Sequence, residues 1–119
     1  DHKPEDEEKK RLTFAQAETG ASGVETLLSL SLELYHNGSV KLETLIKSLT
    51  SNPANILKIN KGNLSIGSDA DFCIVDLNKP WIVKKENLNS KSKNTSIENK
   101  KLQGKVTNTF VKGEELFKL

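Results

Sequence analysis

Gly20-Ala21-Ser22-Gly23-Val24-Glu25-Thr26-Leu27-Leu28-Ser29-Leu30-Ser31-Leu32-Glu33-Leu34-Tyr35 is the stretch on which the architecture turns. Good helix formers predominate from Val24 to Tyr35. At helical spacing Val24, Leu27, Leu28 and Tyr35 share one face, while Leu30 and Leu34 lie on another. That stripe is broader than a surface helix uses, so this helix is expected to be sandwiched between layers. Ser22 and Glu25 have the Ser-x-x-Glu spacing of a capping box, which predicts Ser22 as N-cap, and Asn37-Gly38 supplies the stop. Gly20 and Gly23 bracket a tight passage, where a missing side chain allows positive φ or close approach to a ligand.

Downstream, Leu42, Leu45, Ile46 and Leu49 predict a second, amphipathic helix over about Val40–Thr50. Ser51-Asn52-Pro53 reads as a restart, with Asn52 as cap and Pro53 at the first helical position of a short helix through Ile56 and Leu57. The period then changes. Short strands are expected at Leu64–Ile66, Phe72–Val75 and Trp81–Val83, with a turn at Asn78-Lys79-Pro80. Residues 84–101 are polar and lack a clear period. A loop of that length is functional, draped over a neighbour or disordered. Val106–Val111 and Glu115–Phe117 flank Lys112-Gly113, the pattern of a two-residue hairpin.

The chain has 119 residues, enough for one domain or pieces of two. Helices crowd the first half and a small β unit the second, and the helices carry apolar surface that this β unit cannot cover. The expectation is a core completed by sequence outside the chain. Phe72-Cys73-Ile74-Val75 is the longest apolar run, far short of the roughly 18 residues that read as a membrane span, and no leader pattern is seen. A soluble, cytoplasmic protein is expected. Cys73, the single cysteine, is expected to be a small buried hydrophobe in a reducing setting. The net charge of +2 is too small to argue for nucleic acid. Eight Lys and two Glu lie between Lys79 and Lys105. With no Arg among them and no aromatic but Trp81, that stretch reads as a solvated loop.

Upstream, Asp1-His2-Lys3-Pro4-Glu5 puts an oxygen and a nitrogen donor at the start of a loop. A catalytic zinc usually takes three protein ligands and a water, so these two do not make a site. Asp6–Arg11 is a charged run of both signs, expected as exposed loop or one helical turn. His36, at a helix end, reads as structural.

Taken in order, Asp1-His2-Lys3-Pro4, Gly20-x-x-Gly23-Val24-Glu25-Thr26, Ser51-Asn52-Pro53-Ala54, Gly62-x-Leu64-x-x-Gly67-x-x-Ala70-Asp71 and Ser90-Lys91-Ser92-Lys93-Asn94-Thr95 resemble the carboxy-terminal third of the dihydroorotase family. The Gly-x-x-Ala-Asp element by itself points only to the wider amidohydrolase superfamily. The Asp-His-x-Pro loop and the Ser-Lys-x-x-Asn-Thr run narrow it. The resemblance implies an α/β fold: the end of a (β/α)8 metal-dependent hydrolase barrel over residues 1–60, and part of a composite β-sandwich over 61–119. Asp1 would then follow the last barrel strand, at the face where barrel enzymes keep their chemistry.

By the same resemblance, Asp1 is both zinc ligand and catalytic proton shuttle, in the reversible cyclisation of N-carbamoyl-L-aspartate to dihydroorotate during pyrimidine synthesis. The other zinc ligands, a His-x-His pair among them, are expected upstream. Glu5, Thr19 and Gly20 fall at substrate-binding positions. Two of these depart from the family: Glu5 replaces a histidine that holds the substrate carboxylate, and Thr19 replaces an aromatic residue. A glutamate facing an anion should weaken binding unless it is protonated or turned away. As a fragment without the other ligands, the chain alone is expected to show no hydrolase activity and no tight zinc. Expected partners are the small-molecule substrate, the missing barrel half, a second copy or aspartate transcarbamoylase, and neither nucleic acid nor membrane. Two other readings stand beside this one: a non-catalytic scaffold or gene remnant, and a related cyclic amidase such as an allantoinase or hydantoinase.

Overall fold

The computed structural model describes residues 2–119. In chain order they form α1 (Glu7–Lys10), α2 (Leu27–His36), α3 (Leu42–Leu49), α4 (Ser51–Leu57), β1 (Phe72–Ile82), β2 (Lys101–Val111) and β3 (Glu114–Lys118), with one 3-10 turn at Lys85–Asn87. The strands make an antiparallel sheet in the order β1-β2-β3, and α2 lies on β2.

The contact between α2 and the sheet is the centre of the fold. Leu32 is wholly buried there and Ser29 nearly so. Gly104 of β2, at φ +96°, makes room for the helix, since a Cβ built on it would lie 2.3 Å from Leu32 Cδ1. Ser29 Oγ donates to the Gly104 carbonyl at 2.6 Å, and Trp81 Nε1 reaches both that carbonyl and Ser29 Oγ at 3.2 Å. The buried polar groups here are thus satisfied, which their desolvation requires. Lys105 Nζ sits 5.0 Å from the centre of the Trp81 ring, a cation–π contact. Leu45 of α3 and Ala54 of α4 form a second, smaller buried point.

Several expectations need correction. Helix α2 begins at Leu27 with Thr26 as N-cap, and no side chain caps it; Val24–Thr26 form a turn. Ser22 and Glu25 are drawn away by tertiary partners described below. Leu64–Ile66 is not a strand. Asn63 Oδ1 accepts from the Ser65 N–H and the Ser68 hydroxyl, folding the segment into turns that leave Leu64 and Ile66 exposed. Phe72–Val75 and Trp81–Val83 belong to one strand rather than two, apart from Val83, which follows its end. Between them Asp76 pairs with Lys105 and Pro80 with Gln103, so Asn78-Lys79-Pro80 is an irregularity within β1 and not a chain reversal. An edge strand tolerates the proline because its missing N–H costs no ladder bond. Pro53 lies in the first turn of α4, which starts at Ser51.

Cys73 is exposed, contrary to expectation, because nothing in the described chain covers that face of β1. The hairpin is as read: Lys112 and Gly113, at φ 51° and 83°, join β2 to β3. The radius of gyration is 16.3 Å, against about 13.5 Å for a compact domain of this length. Leu27, Leu34, Ile56 and Leu57 are all exposed, so the apolar surplus anticipated from the sequence is present. No helix is long and apolar enough to cross a membrane.

Candidate functional site

Three stretches distant in sequence meet at one end of α2: residues 2–5, 19–26 and 88–95. Asp1 lies outside the described residues, and so does the role assigned to it. His2 is structural at this position. Its Nδ1 accepts from the N–H groups of Gly23 and Val24 at 3.2 and 3.3 Å, in the turn that precedes α2. The Lys3 N–H donates to the Ala21 carbonyl at 3.1 Å. Gly20 is required here twice over. It takes φ +122°, and a Cβ on it would fall 2.4 Å from the Lys3 carbonyl oxygen. Residues 2–5 and the Gly20–Val24 loop are therefore joined as one backbone unit.

Residues 88–95 brace that unit from the other side. The Ser22 N–H donates to the Asn94 carbonyl at 2.8 Å, and Asn94 Nδ2 to the Gly20 carbonyl at 3.3 Å. Ser22 Oγ donates to the Ser92 carbonyl at 2.9 Å and lies 3.1 Å from Ser90 Oγ. Ser92 Oγ in turn donates to the Glu5 carbonyl at 2.6 Å. Glu25 closes the arrangement. Oε2 accepts from the backbone and side-chain N–H groups of Asn89, and Oε1 from the Ser90 N–H, all at 3.0 Å. Partial burial pushes the Glu25 carboxyl up, but these N–H groups outweigh it and hold the carboxyl below its ordinary value. The sequence reading missed Glu25, Ser22, Ser92 and Asn94 as site residues. The available signal was a polar run of Ser and Asn, side chains short enough to bond backbone, with no apolar period to explain it.

Glu5 is neither protonated nor alone. Lys9 Nζ donates to it at 3.3 Å and Lys3 Nζ stands 3.6 Å away. The Lys9 ammonium first, then Lys3, keep its carboxyl below the ordinary range. An anion approaching this point meets a neutralised carboxylate between two ammonium groups, which softens the like-charge objection raised by the sequence. Thr19 is exposed and Gly20 is partly covered.

The described residues do not fit a metal. Among them no three His, Cys, Asp or Glu side chains stand close enough to share a cation. The His2 nitrogen nearest the loop faces N–H groups, and Glu5 faces lysines.

Residues 10–116 match the model of the amidohydrolase family, and the chain belongs to that family. Within it, the sequence is 43% identical over 117 residues to a dihydroorotase of Ehrlichia canis (strain Jake), covering 98% of this chain and 26% of that protein. It is 42% identical over 119 residues to a dihydroorotase of Aquifex aeolicus (strain VF5), covering 99% of this chain and 28% of that one. The chain thus spans about a quarter of the length of these relatives. Among solved structures, the L-hydantoinase of Arthrobacter aurescens superposes with a TM-score of 0.83 at 31% identity, over 87% of this chain and 24% of that one. A dihydropyrimidinase from Brevibacillus agri NCHU1002 gives 0.92 at 20% identity, over 99% and 27%, a likeness of fold alone.

Proposed function

We propose that this chain is the carboxy-terminal segment of a dihydroorotase-like zinc amidohydrolase, residues 1–60 closing a (β/α)8 barrel and residues 61–119 contributing to a composite β-sandwich. The observation that carries this reading is the identity to dihydroorotases along nearly the whole chain, combined with the joining of residues 2–5 to the Gly20–Val24 loop. In this reading Asp1 is the general base, taking the proton of the attacking water and returning it to the ring nitrogen that leaves. Thr19 and Gly20 offer backbone groups to the substrate, and Lys3 and Lys9 offset the charge of Glu5 beside its carboxylate. Asp1 would be one zinc ligand; the described residues offer no further donor set, and the other ligands would come from polypeptide outside this chain. The exposed face of α2, with Leu27, Leu30 and Leu34, is where that remainder packs.

The test is a chimera in which this chain replaces the matched quarter of the Ehrlichia canis dihydroorotase. Cyclisation of carbamoyl-aspartate, abolished by Asp1→Asn, is the expected result. A folded, metal-loaded chimera without turnover would refute the reading. That outcome would favour a non-catalytic scaffold.

A further inference from the structure

The Ser90-Lys91-Ser92-Lys93-Asn94 turn has no part in the chemistry proposed above, yet it touches both sides of the site. It bonds the backbone at Gly20 and Ser22 on one side and the Glu5 carbonyl on the other. Its own conformation is fixed by Glu25, whose two carboxylate oxygens accept three N–H bonds from Asn89 and Ser90. Glu25 lies in the turn leading into α2, two residues before the helix that Ser29 and Leu32 anchor to the sheet. A path of hydrogen bonds therefore runs from the anchored helix, through the turn, to the two loops that face the site.

We propose that Glu25 is a positioning residue: it clamps the 89–94 turn so that this turn sets the distance between the Gly20 backbone and the Glu5 loop. This inference rests on the proposed contact between Thr19–Gly20 and the substrate. Charge-assisted bonds from N–H to carboxylate are the strong members of their class, and three converge on one side chain that is only partly exposed. Glu25→Gln keeps the size but turns an NH2 group toward an N–H donor. The turn would loosen while the α2–sheet contact, made by other residues, stays. Loss of about an ångström of register at a substrate-contacting backbone costs binding far more than it costs the fold.

Two measurements test this. In the 119-residue chain, amide hydrogen exchange should accelerate in Glu25→Gln by at least about tenfold at Ser22 and Lys3, the donors to Asn94 and Ala21, while Val83 and Leu119 keep their rates. Unchanged rates at Ser22 and Lys3, or equal acceleration everywhere, would overturn the proposal. In the chimera, the same substitution should raise KM for carbamoyl-aspartate about tenfold and leave kcat within about threefold. A merely structural role would lower the yield of active enzyme with KM unchanged, and that result would also overturn it. If the unsubstituted chimera has no turnover, the amidohydrolase reaction fails as a reading, and the exchange pattern still decides whether Glu25 sets the loops. Should Glu25→Gln not fold, Ser92→Ala removes the bond to the Glu5 carbonyl and the one that Ser92 Oγ accepts from the Asn94 N–H, and a Lys3 amide that keeps its exchange rate in that variant overturns the proposal.

Discussion

Replacing Gly104 by alanine tests the central contact of the fold. The new Cβ would lie 2.3 Å from Leu32 Cδ1 and 3.4 Å from the Leu77 carbonyl oxygen, at a φ of +96°. Carbon atoms need about 3.5–4 Å, so more than an ångström must be recovered. Leu32 has no solvent to move into, being wholly buried. Overpacking of this kind costs about 1–3 kcal/mol, and the positive φ adds about 1–2 kcal/mol for a residue with a Cβ. The expected loss is about 2–5 kcal/mol, a large share of the about 5–15 kcal/mol that holds a domain folded. Urea unfolding followed by the fluorescence of Trp81, the single tryptophan, is the assay, because its indole N–H bonds the Gly104 carbonyl directly.

A double-mutant cycle then separates the two terms. Leu32→Ala alone should cost about 2–5 kcal/mol by opening a cavity. With Leu32 already truncated, Gly104→Ala no longer meets Cδ1 and retains only its backbone strain. The double variant should therefore be more stable than the sum of the singles by about 1–3 kcal/mol. Strict additivity, or a Gly104→Ala protein within about 0.5 kcal/mol of the parent, would refute the assignment of Gly104 as the seat of α2.

Two further outcomes are expected. The carboxyls of Glu25 and Asp71 are held below their ordinary values in the folded chain, the latter by Lys61 and the Lys112 N–H. Their stabilisation is complete above the unfolded carboxylate range and lost as pH falls through the lower folded values, so the urea midpoint should be level from pH 7 to about 5 and decline below about 4, less steeply in Glu25→Gln. Leu34→Asp, on the exposed face of α2, should leave the unfolding midpoint of this chain within about 0.5 kcal/mol while abolishing capture of the complementary part of the polypeptide in a pull-down; unchanged capture would remove α2 as the docking face.

What was legible in the sequence was whatever depends on near neighbours. The helices at Leu42–Leu49 and Ser51–Leu57, the Lys112-Gly113 hairpin and the unusual breadth of the α2 stripe are all local patterns, and each is present. The misreadings of β1 and of the α2 cap share one cause, a partner far along the chain. Asn78-Lys79-Pro80 has the composition of a turn, but β2 pairs on both sides of it and carries the strand through. Ser22 and Glu25 have cap spacing, but Ser92 and Ser90 compete for them and win. Of the site, Glu5 was identified as the troubling residue, yet its neutralisation by Lys9 at one helical turn was there to be read. Leu64–Ile66 was given strand character by its apolar residues, and Asn63 determined otherwise.

The bracing of the site by residues 88–95 also bears on the order in which the chain becomes structured during synthesis. Glu25 is 65 residues from Ser90, Ser29 is 75 from Gly104 and Glu5 is 87 from Ser92. Translation delivers the Gly20–Glu25 loop long before its braces exist, and contacts of such high sequence separation form late and slowly. Until β2 has left the ribosome, α2 has no sheet to rest on and the loop has no register. A ribosome stalled after α2 has emerged and before Asn89 is made would therefore display an amphipathic helix with an unformed site, a natural client for a chaperone that recognises apolar surface.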